Sequence, residues 1–233
     1  MNESVRLQDL DAVILDFGGV LYDIDYDAPS KAFAALGDTE FASLYHQASQ
    51  SPWFDAIESG KMDRATFYRH LLGRCNPGTS EAQVHEAWCC ILTGMPAERA
   101  ELVARLGTQT RLFLLSNTNA IHAAEFEQDL ERSLPDAPRF WDAFEVAHYS
   151  HGLGVKKPDP ATFLHVCKIH GLNPTKTLFL DDSIQHVRGA EEAGLVAHHL
   201  DLSAGDFADW MARMGWFLSL IHISEPTRQE AIS

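Results

Sequence analysis

Cysteine and long apolar runs are the scarcest features of this 233-residue chain. The four cysteines show no CxxC or other paired spacing, so a disulfide framework and a zinc site are both disfavoured, and reduced thiols are expected. No run of about 18 apolar residues occurs, so no transmembrane helix is expected. The opening segment lacks the basic, apolar and cleavage regions of a secretion signal. We therefore expect a cytoplasmic protein.

Positive charge is also in short supply. The chain has 18 Lys and Arg against 33 Asp and Glu, a formal net charge of −15. This balance disfavours binding to nucleic acid or to an anionic membrane surface, because both reward clustered basic side chains. A small anionic substrate stays possible, since one local lysine can outweigh the global sign. The apolar content of 45% is sufficient for one large core with a smaller insertion.

Three short apolar runs predict strands buried on both faces of a parallel sheet. They are AVILDFGG (12–19), RLFLLSNTN (111–119) and TLFLDDS (177–183), and LVAHHL (195–200) is a further candidate. Helical patterns separate them after Pro96, after Pro160 and over residues 184–193. The repetition of strand and helix predicts an α/β fold with a doubly wound parallel sheet.

Residues 29–93 interrupt this alternation with amphipathic segments that predict helices and no strand. The segments are KAFAAL, EFASLYHQA, DRATFYRHLL and SEAQVHEAWCCIL, the last capped by Thr79 or Ser80. We predict a helical domain over residues 28–93, inserted into a core formed by residues 1–27 and 94–217.

The last segment, 218–233, is set apart from this fold prediction. Its sequence LSLIHISEPTR (218–228) resembles the in-frame translation of a sequencing-library transposase adapter, and index-like residues follow. We interpret 218–233 as a non-native tail and leave it out of fold reasoning. The alternative is a genuine amphipathic tail, and resequencing the locus distinguishes the two.

Carboxylates follow two of the predicted strands. Asp16 comes after the first strand, and Asp181 and Asp182 end the third, so all three are expected in one crevice at the carboxyl edge of the sheet. Three neighbouring carboxylates repel one another unless a cation compensates, and oxygen ligands suit Mg²⁺ better than zinc. Gly18 and Gly19 permit the tight turn that close backbone approach requires.

Other polar residues suit an anion at the same edge. Ser116 and Asn117 end the second strand before a predicted helix, and they offer a hydroxyl, an amide and backbone N–H groups. Lys157, which stands before Pro158, is a candidate counter-charge for the carboxylates.

The segments ILDFGGVL, LLSNTN, GLGVKKPDP and LFLDDS resemble, in this order, the four motifs of the haloacid-dehalogenase-like (HAD) hydrolase superfamily. The residues within these motifs resemble those of the sugar-phosphate phosphatase branch, which includes bacterial α-D-glucose-1-phosphate phosphatases. The inserted segment resembles the type-one cap of the superfamily. The resemblance implies a Rossmann-like core with a helical cap. It also implies a Mg²⁺-dependent phosphomonoester hydrolase acting on a small phosphorylated metabolite such as a sugar phosphate.

Carried onto this chain, the resemblance assigns a nucleophile and a metal site. Asp16 would form an aspartyl-phosphate that water then hydrolyses. Asp182 and the carbonyl of Gly18 would join Asp16 in holding Mg²⁺, with Asp181 a further ligand or a holder of metal-bound water.

The resemblance also implies a phosphate site. Ser116 and Lys157 would bind the transferring phosphoryl oxygens, with Asn117 supporting them. The Lys-Pro pattern favours Lys157 over its neighbour Lys156, and the doublet leaves both open.

Two residues depart from the family pattern. Gly18 stands where many family phosphatases place an Asp as general acid and base, whose contribution is typically ~10²–10⁴-fold. His186 stands where related sequences tend to have Asn or Asp.

Of the remaining polar candidates, Asn119 and His122 are expected at a solvated helix start. Glu58 of the inserted segment could face substrate.

Two alternatives to a phosphatase stay open at this point. A Mg²⁺-independent 2-haloacid dehalogenase would use Asp16 to attack carbon, which the Gly at position 18 favours and the pair Asp181 and Asp182 disfavours. A catalytically weak binding or regulatory protein on the same scaffold is the second alternative.

Overall fold

The computed structural model describes residues 5–46 and 49–216 of the chain. Its strands are β1 (Ala12–Leu15), β2 (Asp23–Ile24), β3 (Tyr45–His46), β4 (Ser49–Gln50), β5 (Leu92–Gly94), β6 (Arg111–Ser116), β7 (Val146–Tyr149), β8 (Thr177–Asp181) and β9 (Val196–His199). Five of them form a parallel sheet in the spatial order β7, β6, β1, β8, β9.

Helices cover both faces of this sheet and form the inserted segment. They are α1 (Asp27–Ala35), α2 (Phe41–Leu44), α3 (Pro52–Glu58), α4 (Arg64–Leu72), α5 (Glu81–Cys89), α6 (Ala97–Gly107), α7 (Ala120–Ser133), α8 (Ala137–Trp141), α9 (Ser150–Leu153), α10 (Pro160–His170), α11 (Ile184–Glu192) and α12 (Phe207–Arg213).

The central strand β1 shows why the sheet is wound on both faces. All four of its residues are buried. Because successive side chains of a strand point to opposite faces, Val13 and Leu15 pack in one apolar cluster with α6, α7 and α12. Ala12 and Ile14 pack in a second cluster with α10 and α11. The predicted doubly wound α/β fold is confirmed.

Helices α1–α5 share an apolar cluster of their own, built largely from aromatic rings. Phe54 and Trp88 stack with ring centroids 5.5 Å apart, and Phe33 and Phe41 stack at 4.2 Å. Ser80 begins α5 with a capping box, one of the two caps that the sequence offered. We call this helical segment the cap. The division of the chain at residues 28 and 93 stays a prediction.

The expectation of no strand within residues 29–93 is wrong. Strand β5 pairs antiparallel with β2 where the chain leaves and enters the cap, and β3 pairs with β4. The EFASLYHQA segment is helical only over α2, because Tyr45 is already extended in β3. Strands this short carry no periodicity that a sequence pattern could reveal.

None of the helices within residues 5–46 and 49–216 has the length and apolar character needed to cross a membrane. The segment 218–233, interpreted above as a non-native tail, lies outside the described residues.

Candidate active site

The carboxyl ends of β1, β6 and β8 meet at one edge of the sheet because these strands are parallel neighbours. Asp16 directly follows β1, while Ser116 and Asp181 are the last residues of β6 and β8. The backbone amide of Asp16 donates to the carbonyl of Leu180 at 2.9 Å, which extends the ladder past the end of β1. Asp16 and Asp181 therefore meet side by side, as the strand pattern predicted.

Three carboxylates come together at this edge. One oxygen from each of Asp16, Asp181 and Asp182 lies within 4.8 Å of the other two. Asp16 and Asp181 are buried, and Asp182 is partly exposed. So dense a group of like charges is costly without a counter-charge, since each carboxylate raises the energy of its neighbours.

The electrostatic consequence is visible in the pKa values. Burial, together with the charge of Asp181, raises the pKa of Asp16 to about 6. Burial and the charges of Asp16 and Asp181 raise the pKa of Asp182 to about 7. Burial also acts on Asp181, but Lys157 and His186 outweigh it and lower the pKa of that carboxyl below its ordinary value. The site is therefore short of positive charge around Asp16 and Asp182.

Lys157 is the buried cation of the site. Its Nζ donates to Asp16 Oδ1 at 2.6 Å and to Asp181 Oδ2 at 2.7 Å. Burial disfavours the charged form, yet the two carboxylates outweigh this effect and raise the pKa of Lys157. Asn117 fixes the backbone that carries it: the Asn117 amide donates to the Lys157 carbonyl at 2.8 Å, and the Lys157 N–H donates to Asn117 Oδ1 at 3.0 Å.

The turn after β1 brings backbone against a carboxylate. Gly19 has a φ of +84°, and a Cβ at this position would lie 2.5 Å from Asp182 Oδ2. Only glycine leaves room for that approach. A cluster of three carboxylates held beside a glycine turn offers oxygen ligands alone, which is the donor chemistry that Mg²⁺ prefers. The residues present therefore fit a magnesium ion.

His186, the departure from the family pattern, contacts Asp181. Its Nδ1 lies 3.0 Å from both carboxylate oxygens of Asp181, which accept from the ring N–H. Asp181 thus has partners on two sides, His186 and Lys157. The histidine thus supplies Asp181 with a hydrogen-bond donor from the start of α11.

The second lysine of the doublet contacts the cap instead of the core. Lys156 Nζ lies 2.6 Å from Asp55 Oδ1 and 3.2 Å from Glu58 Oε2, both on α3. Ser150 Oγ donates to the carbonyl of Glu58 at 2.7 Å. Asp55 and Ser150 were missed from the sequence. The helical spacing of Asp55 and Glu58, three residues apart on one face, is the signal that could have identified the first.

Asn119 and His122 are buried, so the expectation of a solvated helix start is wrong. Asn119 begins α7, and its Oδ1 accepts from the backbone N–H groups of Ile121 and His122. His122 Nε2 donates to the carbonyl of Trp88 at 3.0 Å, and its ring stacks on the Trp88 indole. Burial lowers the pKa of His122 to about 4. The cap helix α5 excludes water from this helix start.

A cavity of about 490 Å³ lies between the cap and the core, and many of these residues line it. The lining includes Asp16, Gly18, Ser116, Asn117, His122, Lys156, Lys157, Asp182 and His186 from the core, and Tyr26, Tyr45, Asp55 and Glu58 from the cap side. The volume suits a small metabolite.

Comparisons with known proteins agree with this arrangement. A family model described as haloacid dehalogenase-like hydrolase matches residues 10–194. The chain is 28% identical over 182 residues to a D-ribitol-5-phosphate phosphatase from Bacteroides thetaiotaomicron, covering 78% of this chain and 87% of the relative. It is 26% identical over 194 residues to a sesquiterpene phosphatase from Aspergillus oryzae, covering 81% of this chain and 89% of the relative.

One solved structure is also similar across nearly its whole length. It is a HAD family enzyme from Bacteroides thetaiotaomicron in complex with magnesium and inorganic phosphate, with a TM-score of 0.74 and 25% identity. The match covers 86% of this chain and 98% of that one.

Proposed function

Because the chain belongs to the haloacid dehalogenase-like hydrolase family, we propose that it is a Mg²⁺-dependent phosphomonoesterase acting on a small phosphorylated metabolite such as a sugar phosphate. The observation that carries the proposal is the meeting of three carboxylates within 4.8 Å, with the buried Lys157 bonded to two of them. The chain's similarity to two phosphatases supports it.

Asp16 is the nucleophile in this proposal. Lys157 binds its Oδ1, so Oδ2 is the oxygen that attacks phosphorus and forms an aspartyl-phosphate, while the ester oxygen departs. Water then attacks the same phosphorus, which releases phosphate and restores the carboxylate. Ser116 and Lys157 bind the phosphoryl oxygens and hold them in line for the attack.

The carboxylates of Asp16, Asp181 and Asp182, with the Gly18 carbonyl, would hold the magnesium ion. When bound, the ion supplies positive charge that lets an anionic phosphate approach an anionic nucleophile. The same donor set argues against the dehalogenase alternative, since attack on a halogenated carbon has no use for three clustered carboxylates.

Gly18 leaves the departing oxygen without a side-chain acid from that position. A Cβ there would lie 3.2 Å from Ile24 Cδ1, so Ile24 fills the adjoining space. In this proposal water in the cavity protonates the leaving alkoxide, and the hydroxide so formed takes up the proton that the second water releases when it attacks the aspartyl-phosphate. The cap, taken as residues 28–93, closes over the bound substrate and limits bulk water.

We place the enzyme in the cytoplasm, acting without nucleic acid, in line with its four free thiols and its charge of −15.

The direct test compares Asp16→Asn with Asp11→Asn, an exposed carboxylate that precedes the other end of the same strand. Hydrolysis is measured on a panel of phosphate monoesters with Mg²⁺ and with chelator. We expect Asp16→Asn and chelation each to reduce kcat/KM by at least about 10³-fold, and Asp11→Asn to match the wild type. Full turnover by Asp16→Asn refutes the nucleophile, and binding of phosphate without turnover of any ester by the wild type favours a binding protein.

A further inference from the structure

The cap side of the cavity carries an acidic pair beside a single lysine. Asp55 and Glu58 both approach Lys156 Nζ, at 2.6 Å and 3.2 Å. The Glu58 side chain is 8% exposed, whereas that of Asp55 is 50% exposed, so Glu58 is the carboxylate that water screens least.

Glu58 is fixed in this position through its backbone. Ser150 Oγ donates to its carbonyl, and the same hydroxyl accepts from the N–H of Thr118, which ties the end of α3 to two segments of the core. Two residues later, a Cβ at Gly60 would collide with the carbonyl oxygen of His151. The cap backbone thus lies directly against the core here, and Glu58 cannot withdraw from the cavity without breaking these contacts.

The charges around the cavity leave little attraction for a second anion. Among the described lining residues, four are carboxylic acids and two are lysines: Asp16, Asp55, Glu58, Asp182, Lys156 and Lys157. Each lysine already holds two carboxylates. His122 adds no charge near neutral pH, since burial lowers its pKa to about 4.

We propose that Glu58 is a specificity-determining residue that selects phosphate monoesters with a neutral, hydroxyl-bearing remainder and rejects those with a second anionic group. The inference rests on the proposed phosphatase function and deepens it. A buried carboxylate accepts hydrogen bonds from hydroxyls, whereas it repels a carboxylate or second phosphate at close range. At a separation of about 6 Å that repulsion corresponds to roughly tenfold in kcat/KM.

The test uses two esters with the same carbon skeleton, D-ribitol 5-phosphate and D-ribonate 5-phosphate, which differ only in a terminal hydroxymethyl or carboxylate. We expect the wild type to favour the ribitol ester by about tenfold or more in kcat/KM. Glu58→Gln reduces this preference by about tenfold, through a lower KM for the ribonate ester. Lys156→Met increases the preference, because the charge of Glu58 loses its compensation.

Glu86→Gln, an exposed acid on cap helix α5, is the matched control and leaves the preference unchanged. If Glu58→Gln and Lys156→Met each lower kcat/KM equally for both esters, the preference is unchanged and the contact only closes the cap. That result overturns this inference and leaves the proposed function standing. A wild type that hydrolyses no phosphate ester overturns the proposed function as well.

Discussion

Removing the buried Lys157 ammonium should destabilise the metal-free protein strongly. In Lys157→Met the side chain keeps its approximate volume, but Asp16 and Asp181 lose a partner at 2.6 Å and 2.7 Å. Both carboxylates are buried, and Asp182 lies in the same cluster. The variant therefore leaves three acidic groups together, with hydrogen bonds to Asp181 from His186 and the Ser183 N–H but without the lysine.

The expected loss is about 4 kcal/mol, because breaking a buried ion pair from one side typically costs ~3–5 kcal/mol. Domains of this kind have a total unfolding free energy of about 5–15 kcal/mol, so the variant should be marginal without metal. Lys176→Met is the matched control. Its side chain is 56% exposed and lies 3.9 Å from the half-exposed Asp11, so we expect a loss of at most about 1 kcal/mol.

The assay is urea unfolding at pH 7.5 in chelator, followed by tryptophan fluorescence, with the slope m checked for constancy. Saturating Mg²⁺ should narrow the gap between Lys157→Met and the wild type, since a bound divalent ion replaces the missing positive charge in the folded state. The unfolding free energy of Lys157→Met in chelator could instead lie within about 1 kcal/mol of the wild type, the size of change expected for the control. That result would refute the view that this lysine balances the carboxylates.

Two further predictions concern a buried ring and a tight turn. Burial lowers the pKa of His122 from 6.5 to about 4. Between these pH values the unfolded chain binds more protons than the folded chain. The contribution of His122 to stability is therefore complete above pH 6.5 and is lost as the pH falls to 4. Thermal melts from pH 7 to 4.5 should show this loss, up to about 3 kcal/mol, and His122→Gln should flatten the profile. Gly19→Ala places a methyl group 2.5 Å from Asp182 Oδ2 at a φ of +84°. Titration calorimetry should therefore show a Mg²⁺ affinity reduced by at least about tenfold. Gly78→Ala is the control, because Gly78 also has a positive φ but a Cβ there meets open space.

The sheet could be predicted because its central strands have one simple property. Strands β1, β6 and β8 are buried on both faces, so their sequences are apolar without alternation and end abruptly in polar residues. Those polar residues lie at the candidate active site. One pattern therefore predicts both the fold and the position of Asp16, Ser116 and Asp181.

The elements that the sequence did not reveal are short or lie at an edge. Strand β7 reads VAHY and is only partly buried, because it is the last strand of the sheet and has a neighbour on one side. The pairs β2–β5 and β3–β4 contain two or three residues per strand. Their stability comes from where the cap docks, which is a property of the folded chain and not of a local pattern.

Burial of the helix start at Asn119 and His122 also results from docking of the cap. The sequence pattern placed Asn119 and His122 at a helix start and predicted that water surrounds it. The helix start is buried because Trp88, on the cap helix α5 and 34 positions before His122, offers its carbonyl and indole to the His122 ring. No local signal in either segment specifies that long-range contact.

The lysine doublet shows what the family pattern can and cannot assign. Lys156 and Lys157 are neighbours in the segment between α9 and α10, where Lys157 and Pro158 form a turn, and their side chains reach different partners. One ammonium binds the carboxylate of Asp16, and the other binds Glu58 on the cap. The charge that orients Asp16 and the contact that holds the cap over the cavity are therefore joined by one peptide bond. Any displacement of the cap that carries Lys156 with it acts on the backbone of Lys157, which Asn117 holds in place through two hydrogen bonds.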